Sequence, residues 1–319
     1  MKGIVVGSAN TDLIIHVDKL PSLGNTEVGY GFMRGPGGKG ANQAVCLSKM
    51  GVDTHFIGRF GKDEFSNILI DDIGKFGIHL TYSVIDEKRK GGVVFIVIDK
   101  TGNNTMIADF GSNMYLSAKD VENASKLFED ADILLLQFEV SEDANKKAIS
   151  LAKKNHCRII LNAAPFRIFD PNILDGIDVL TPNLFELSQM LKYLEGREYL
   201  SPDEKDVEKI IEAARVLLSR GVTNIIVTLG SRGCIFVSRD VIKKFGTFKV
   251  VPVDSTAAGD TFTSTFAYKY TEGSSIDEAI RFASAASALA VTRKGAIMSI
   301  PTYDEVEEFL KKNRIRNFQ

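Results

Sequence analysis

The chain has no tryptophan, only three cysteines and four histidines, and no surplus of either charge among its 319 residues. It also lacks any apolar run of about 18 residues, the length a membrane-spanning helix needs. Each shortage excludes a class of protein. Cys46, Cys157 and Cys234 are odd in number and widely spaced, with no C-x-x-C pair, so they supply neither a disulfide framework nor a zinc ribbon. They read as reduced, buried thiols of a cytoplasmic protein. His16, His55, His79 and His156 show no ligand spacing, and metal binding through histidine is not expected. Lys plus Arg number 39 against 41 Asp plus Glu, a net charge of −2, which leaves no basic footprint for nucleic acid. No membrane partner is expected either. Met1-Lys-Gly-Ile-Val-Val-Gly enters a strand without the apolar length of a signal peptide.

What is present is an ordinary globule, 44% hydrophobic and 25% charged, long enough for a single α/β domain over residues 1–319. Strand-like runs at Ile4 to Val6, Thr54 to Gly58, Ile133 to Leu136, Ile159 to Leu161, Val179 to Leu180 and Ile225 to Leu229 alternate with helix-period segments. The helices are expected at Ala41 to Met50, Glu64 to Phe76, Glu142 to Asn155, Leu184 to Leu194 and Glu204 to Arg220, with Gly51, Gly77 and Gly221 as left-handed caps. This alternation predicts a mainly parallel sheet covered by helices. Two regions break it. Leu13 to Val17 with Glu27 to Met33, and Val93 to Asp99 with Asn104 to Asp109 around Lys100-Thr-Gly-Asn, read as hairpins without crossover helices. They predict a small separate sheet able to act as a lid, with Val28, Phe32, Val94 and Ile96 on its buried faces. The basic stretch Lys311 to Arg316 reads as a charge cluster at the end of the last helix.

The most informative stretch is Asp254-Ser-Thr-Ala-Ala-Gly-Asp260-Thr-Phe. Ala257, Ala258 and Gly259 have almost no side chain, so their N–H groups can approach a phosphate at a helix N-terminus, with Asp260 where an attacking hydroxyl arrives. The alternative is an Asp that simply caps the helix. The second stretch, Gly35-Pro-Gly-Gly-Lys-Gly40, matches the dinucleotide fingerprint G-x-G-x-x-G, but the first core strand ends earlier, at Gly7. It is not a Walker A loop, because Lys39 is followed by Gly40 and not by Ser or Thr. What remains is a glycine turn that can lie close to a ligand. Asn10, Asp12 and Glu139 follow core strands, where open α/β sheets bind ligands, and their side chains suit vicinal hydroxyls.

These stretches, with Gly7-Ser-Ala-Asn10-Thr-Asp12, Thr181-Pro-Asn183-Leu-Phe-Glu186, Thr228-Leu-Gly-Ser-Arg-Gly233 and Ala290-Val-Thr-Arg293-Lys-Gly295-Ala, run in order along nearly the whole chain. Together they resemble the ribokinase branch of the PfkB sugar kinase family. The resemblance implies a three-layer α/β sandwich with a mainly parallel central sheet and a β-sheet lid built from about 13–33 and 92–110. It implies ATP-dependent phosphorylation of D-ribose at O5, with Asp260 as base and Ala257, Ala258 and Gly259 as anion hole. Asn10, Asp12, Gly38, Lys39, Asn42 and Glu139 would then hold the sugar, and Thr228, Gly230, Ser231, Gly233, Gly259 and Ser284 the nucleotide. Asn183 and Glu186, spaced i, i+3, would hold hydrated Mg²⁺. Asp254, the carbonyls of Thr256, Ala290, Arg293 and Gly295, and the Ser299 hydroxyl match the family's K⁺ loops. A homodimer with interlocking lids is implied too. The chain departs from the family at Ser284, where His or Asn is common, at Gly91-Gly92 in place of Thr-Gly, and at Asn162-Ala-Ala-Pro165 in place of Asn-Pro-Ala-Pro. The alternatives are a kinase for another substrate (deoxyribose, a ketose or adenosine), a non-catalytic sugar-binding relative, and a dehydrogenase.

Overall fold

The computed structural model describes residues 1–101, 104–201 and 203–313. Gly102 and Asn103 of the expected hairpin turn, and Arg314 to Arg316 of the basic end, lie outside the described residues. The chain opens with β1 (Lys2–Val6), leaves through β2 (Asn10–Val17) and β3 (Tyr30–Gly37), and returns by α1 (Lys39–Lys49) to β4 (Asp53–Ile57). The short strands β5 (Arg59–Gly61) and β6 (Val84–Asp86) flank α2 (Glu64–Gly74), and β7 (Gly92–Asp99) with β8 (Asn104–Asp109) forms a second excursion. There follow α3 (Ala118–Asn123), β9 (Ile133–Leu136), α4 (Glu142–Lys154), β10 (Arg158–Leu161), β11 (Val179–Leu180), α5 (Leu184–Glu195), α6 (Val207–Leu218) and β12 (Asn224–Thr228). The antiparallel strands β13 (Cys234–Ser238) and β14 (Ile242–Phe245) precede α7 (Ala258–Glu272), α8 (Ile276–Ala290) and α9 (Tyr303–Lys312).

The central sheet has eight strands in the order β14-β13-β12-β11-β10-β9-β1-β4, parallel from β12 to β4. Its inner strands are near-continuous apolar runs because both faces are buried. Ile4, Val6, Leu134, Leu136, Ile159 and Leu161 pack with Ala148, Leu187, Leu191 and Ile210 of α4 to α6 on one face. The alternating residues Val5, Leu135 and Ile160 pack with Leu47, Phe266 and Ile280 of α1, α7 and α8 on the other. The result is a three-layer sandwich in which each large apolar side chain contributes about 1.5–3 kcal/mol.

A second, four-stranded sheet has the order β3-β2-β7-β8. Here β2 pairs with β7 in parallel from Asn10↔Gly92 to Val17↔Asp99, which joins the two hairpins. Asn10 and Asp12 therefore sit on a strand of this sheet, not on a loop. Val94, Ile96, Met106 and Ala108 face the cleft beneath it. Alternation sends Phe95 and Ile107 the other way. The expected burial of Val28 and Phe32 is not found: they are 88% and 65% exposed, on strands and loops that turn their apolar groups outward.

Helix starts follow their caps. Asp63, Ser117, Ser141, Asn183, Asp206, Ser275 and Thr302 each accept a first-turn amide with a side-chain oxygen. The exceptions are α1 and α7, which begin after Gly38 (φ 93°) and Ala257 (φ 61°) with no side-chain cap. Gly51, Gly77 and Gly221 adopt φ of 83°, 74° and 100°, as expected at helix ends.

Candidate active site

A cleft of about 490 Å³ lies between the carboxyl ends of the parallel strands and the inner face of the four-stranded sheet. Backbone-to-backbone packing builds its floor. A Cβ on Gly40 would lie 2.6 Å from the Gly7 carbonyl carbon and the Ser8 nitrogen, and one on Gly37 would lie 2.2 Å from Asp12 Oδ2. Only glycine lets the turn before α1 close on the end of β1, and this brings Gly38, Lys39 and Asn42 against Asn10 and Asp12.

At the sugar-sized end, Asn10, Asp12, Asn42 and Glu139 are buried polar side chains. Asn10 is aimed by Asn113, whose Nδ2 donates to Asn10 Oδ1 (2.9 Å) and to the Ala9 carbonyl (3.1 Å). Glu139 accepts from the Ser8 hydroxyl and from the Lys39 backbone N–H (3.1 Å). Burial, reinforced by the Glu139 charge, pushes the Asp12 carboxyl up to about 7. Burial raises Glu139 as well, against the pull of Lys39 and Ser8. For Lys39, burial works against the charged form, but Asp260, Glu139 and Glu186 outweigh it and hold the ammonium above its usual range.

Asp260 stands in the first turn of α7 with both oxygens engaged by α1. Asn42 Nδ2 donates to Oδ2 (2.9 Å) and Gln43 Nε2 to Oδ1 (3.1 Å). Gln43 is in turn fixed by Gln137, whose Nε2 donates to Gln43 Oε1 (2.6 Å). The amide chain thus sets the carboxylate to within a rotamer, and no side chain caps the helix beneath it. The capping alternative for Asp260 is therefore not what the structure holds.

Toward the other end the cleft is lined by Asn162, Thr181, Asn183, Glu186, Thr228 and Ser255 to Asp260. Asn183 and Glu186 form a reciprocal capping box, Asn183 N–H donating to Glu186 Oε2 and Glu186 N–H to Asn183 Oδ1, each at 2.8 Å. Burial raises the Glu186 carboxyl. Each side chain keeps further oxygen lone pairs on the cleft, the donor type a hydrated Mg²⁺ takes. Gly230, Ser231 and Gly233 lie outside this lining; Gly233 (φ 86°) is required by its approach to β14, where a Cβ would meet the Phe245 carbonyl oxygen at 1.9 Å. Ser284 is buried within α8 and does not line the cleft.

Beside the cleft, Asp254 accepts from Thr256 N–H (2.9 Å), Thr256 Oγ1 (2.7 Å) and Gly295 N–H (2.9 Å), tying two loops together. Burial opposes ionisation there, but these bonds hold the carboxyl below its usual range. The Ala290 carbonyl accepts from Arg293 N–H (3.0 Å), and the buried Ser299 hydroxyl donates to the Ala296 carbonyl (2.8 Å), which leaves its own lone pairs available. The set is all oxygen, which suits a hard, redox-inert cation.

The site residues expected from sequence thus gather in one cleft with an adjoining loop pair, apart from Gly230, Ser231, Gly233 and Ser284. Sequence reasoning missed Ser8, Gln43 and Asn113, and named Asn162 only as part of a departure from the family pattern. Ser8 stands inside the stretch Gly7 to Asp12 and Gln43 directly follows Asn42, whereas Asn113 carries no local signal.

Carboxylates and amides suited to a polyol at one end of the cleft, a helix N-terminus without a side-chain cap at the other and a fixed carboxylate between them are the features of an ATP-dependent sugar kinase. Residues 2–303 match the pfkB family carbohydrate kinase profile. The chain is 36% identical over 311 residues to the ribokinase of Haemophilus influenzae, covering 96% of this chain and 97% of that one. It is 32% identical over 310 residues to the deoxyribokinase of Salmonella typhimurium, covering 97% and 98%. The structure of Arabidopsis thaliana ribokinase complexed with ribose and ATP matches it with a TM-score of 0.86 at 33% identity, over 97% and 98% of the two chains. The chain belongs to the pfkB family of carbohydrate kinases, and its fold is ribokinase-like.

Proposed function

We propose that this kinase transfers the γ-phosphoryl group of ATP to O5 of D-ribose, giving D-ribose 5-phosphate and ADP. The observation that carries the reading is Asp260, held by Asn42 and Gln43 at the uncapped start of α7 inside a cleft that also presents Asn10, Asp12 and Glu139. The sugar lies against Asn10, Asp12, Gly38, Lys39, Asn42 and Glu139, whose carboxylates and amides match its secondary hydroxyls. Asp260 accepts the proton of the primary hydroxyl as that oxygen attacks the γ-phosphorus; the bond to the β-phosphate oxygen breaks and ADP leaves. The first-turn N–H groups of α7 over Ala257, Ala258 and Gly259 receive the developing charge. Thr228, with Gly230, Ser231 and Gly233 in the turn that follows it, is assigned to the nucleotide side, whereas Ser284, buried within α8, is not. Asn183 and Glu186 hold Mg²⁺ through water, which supplies charge neutralisation at the phosphates, while Asp254, Thr256, Ala290, Arg293, Gly295 and Ser299 hold K⁺.

Residues 1–319 act as a single kinase domain, and the four-stranded sheet acts as a lid over the sugar. The apolar side chains on its outward face, Phe32, Phe95 and Ile107, all at least 51% exposed, fit a homodimer through the lids. The protein is assigned to the cytoplasm, consistent with three free, buried thiols and with no described helix long and apolar enough to cross a membrane.

Deoxyribose is the second reading, favoured by the likeness to a deoxyribokinase. One hydroxyl distinguishes the sugars, and a site built to bond it rejects the analogue strongly. The deciding experiment is ADP release with Mg²⁺ATP against ribose, deoxyribose, fructose and adenosine, in potassium and in sodium buffer. Ribose well ahead in potassium is the expected result. Preference for another acceptor reassigns the pocket, and no release with any of them overturns the proposal.

A further inference from the structure

We propose that Asp53, His55 and His79 form a binding site for a divalent transition metal of the zinc class, at the opposite end of the central sheet from the cleft. β4 is the last strand of that sheet, and its free edge bonds to the segment after α2: Phe56 N–H donates to the His79 carbonyl (3.0 Å) and His79 N–H to the Thr54 carbonyl (2.9 Å). This parallel bridge sets His55 opposite His79. Their rings stack with centroids 4.6 Å apart. Asp53 and His55 alternate onto one side of β4, so both imidazoles meet the same carboxylate. His79 Nε2 lies 3.0 Å from Asp53 Oδ1, and His55 Nε2 lies 3.6 Å from Asp53 Oδ2.

Those separations are the ones an ion needs. Bonds of about 2.0–2.1 Å at tetrahedral angles put ligand atoms about 3.4 Å apart, and the two N···O distances bracket that spacing. The three ligand atoms all lie within 4.8 Å of one another. His55 Nδ1 is buried with no hydrogen-bond partner, so Nε2 is the nitrogen this ring can offer. Two nitrogens and a carboxylate suit zinc and its neighbours, not the all-oxygen chemistry of Mg²⁺ or K⁺. Cys46, Cys157 and Cys234 are buried and offer no competing thiol site. Asp53 opens β4, whereas the cleft lies beyond the strands' carboxyl ends, so the ion clamps the sheet edge to the segment after α2 without touching the reaction.

The test is calorimetric titration of the full, tag-free chain with zinc chloride in the absence of nucleotide, with cobalt(II) absorption as a second probe and melting temperature as a third. One saturable equivalent, tetrahedral cobalt bands and a metal-dependent rise in melting temperature are expected. His79→Gln and Asp53→Asn should each weaken binding by about tenfold or more, while His79→Gln leaves turnover with Mg²⁺ATP unchanged. Absence of a saturable equivalent, or undiminished affinity in both variants, overturns the site.

Discussion

Replacing Asp12 with asparagine should make the protein more stable at slightly alkaline pH while depriving it of its sugar. Asp12 is 7% exposed, and its carboxyl is pushed up to about 7 by burial and by Glu139. In the unfolded chain the same group titrates near 3.9, so between those values the folded state holds the proton and the unfolded state does not. The proton-linked stabilisation is therefore full below the unfolded value and is lost as pH rises through the folded one. At 1.36 kcal/mol per unit, ionising Asp12 between about pH 5.5 and pH 8 costs the folded state about 2 kcal/mol. Urea unfolding of the wild type should lose this amount across that interval, and Asp12→Asn should not. Sugar affinity runs the other way, since hydroxyl donors favour the ionised carboxylate: it should weaken by about tenfold per unit below about pH 7 in the wild type and be lost in the variant. Parallel pH–stability curves for the two proteins would refute the reasoning.

Asp260→Asn should lower turnover by about 10²- to 10⁴-fold, the usual worth of a positioned base, while calorimetry still detects the sugar; near-normal turnover removes Asp260 from its role. Gln43→Ala strands one Asp260 oxygen and the Gln137 amide, so stability should fall by about 1–3 kcal/mol and kcat should drop with little change in the sugar KM. An unchanged kcat would show that Asn42 alone fixes the carboxylate. Gly40→Ala places a methyl 2.6 Å from the backbone of Gly7 and Ser8. About 1–3 kcal/mol of destabilisation and a higher sugar KM are expected, and wild-type melting would contradict the packing described.

The central strands were legible because a strand buried on both faces must be apolar throughout, as in Ile133 to Leu136 and Ile159 to Leu161. The glycine turn and the Asp254 to Phe262 stretch were legible because residues without side chains leave room for something else. Contacts made only by strand pairing were not. His55 and His79 are brought together by a single bridge, and Asn113 reaches Asn10 from a distant turn. β14, Ile-Lys-Lys-Phe, is a short, largely exposed edge strand with no alternation long enough to read. The outward position of Val28 and Phe32 was hidden for another reason. An apolar residue in a strand-like run reads the same in sequence whether it ends up buried or exposed.

Asp260 shows where local rules end. In α3, α5, α8 and α9 an acid at the third helical position folds back onto the helix's own N-cap: Asp120 to Ser117, Glu186 to Asn183, Glu278 to Ser275 and Glu305 to Thr302. Asp260 occupies that same third position in α7, and in isolation it reads as another such cap. Its N-cap is Ala257, which has no side-chain oxygen to close the box and is held at φ 61°, a conformation costing about 1 kcal/mol or more for a residue with a Cβ. Both carboxylate oxygens turn instead to Asn42 and Gln43 on α1. Giving up a cap forgoes about 0.5–2 kcal/mol, and the only sites where the described α-helices do so are the starts of α1 and α7, both on the cleft. At α1 the loss is met from within, because the Lys39 N–H finds Glu139. At α7 no side chain takes that place, so the stability forgone leaves a helix N-terminus open to an anion beside a carboxylate that its neighbour has already aimed.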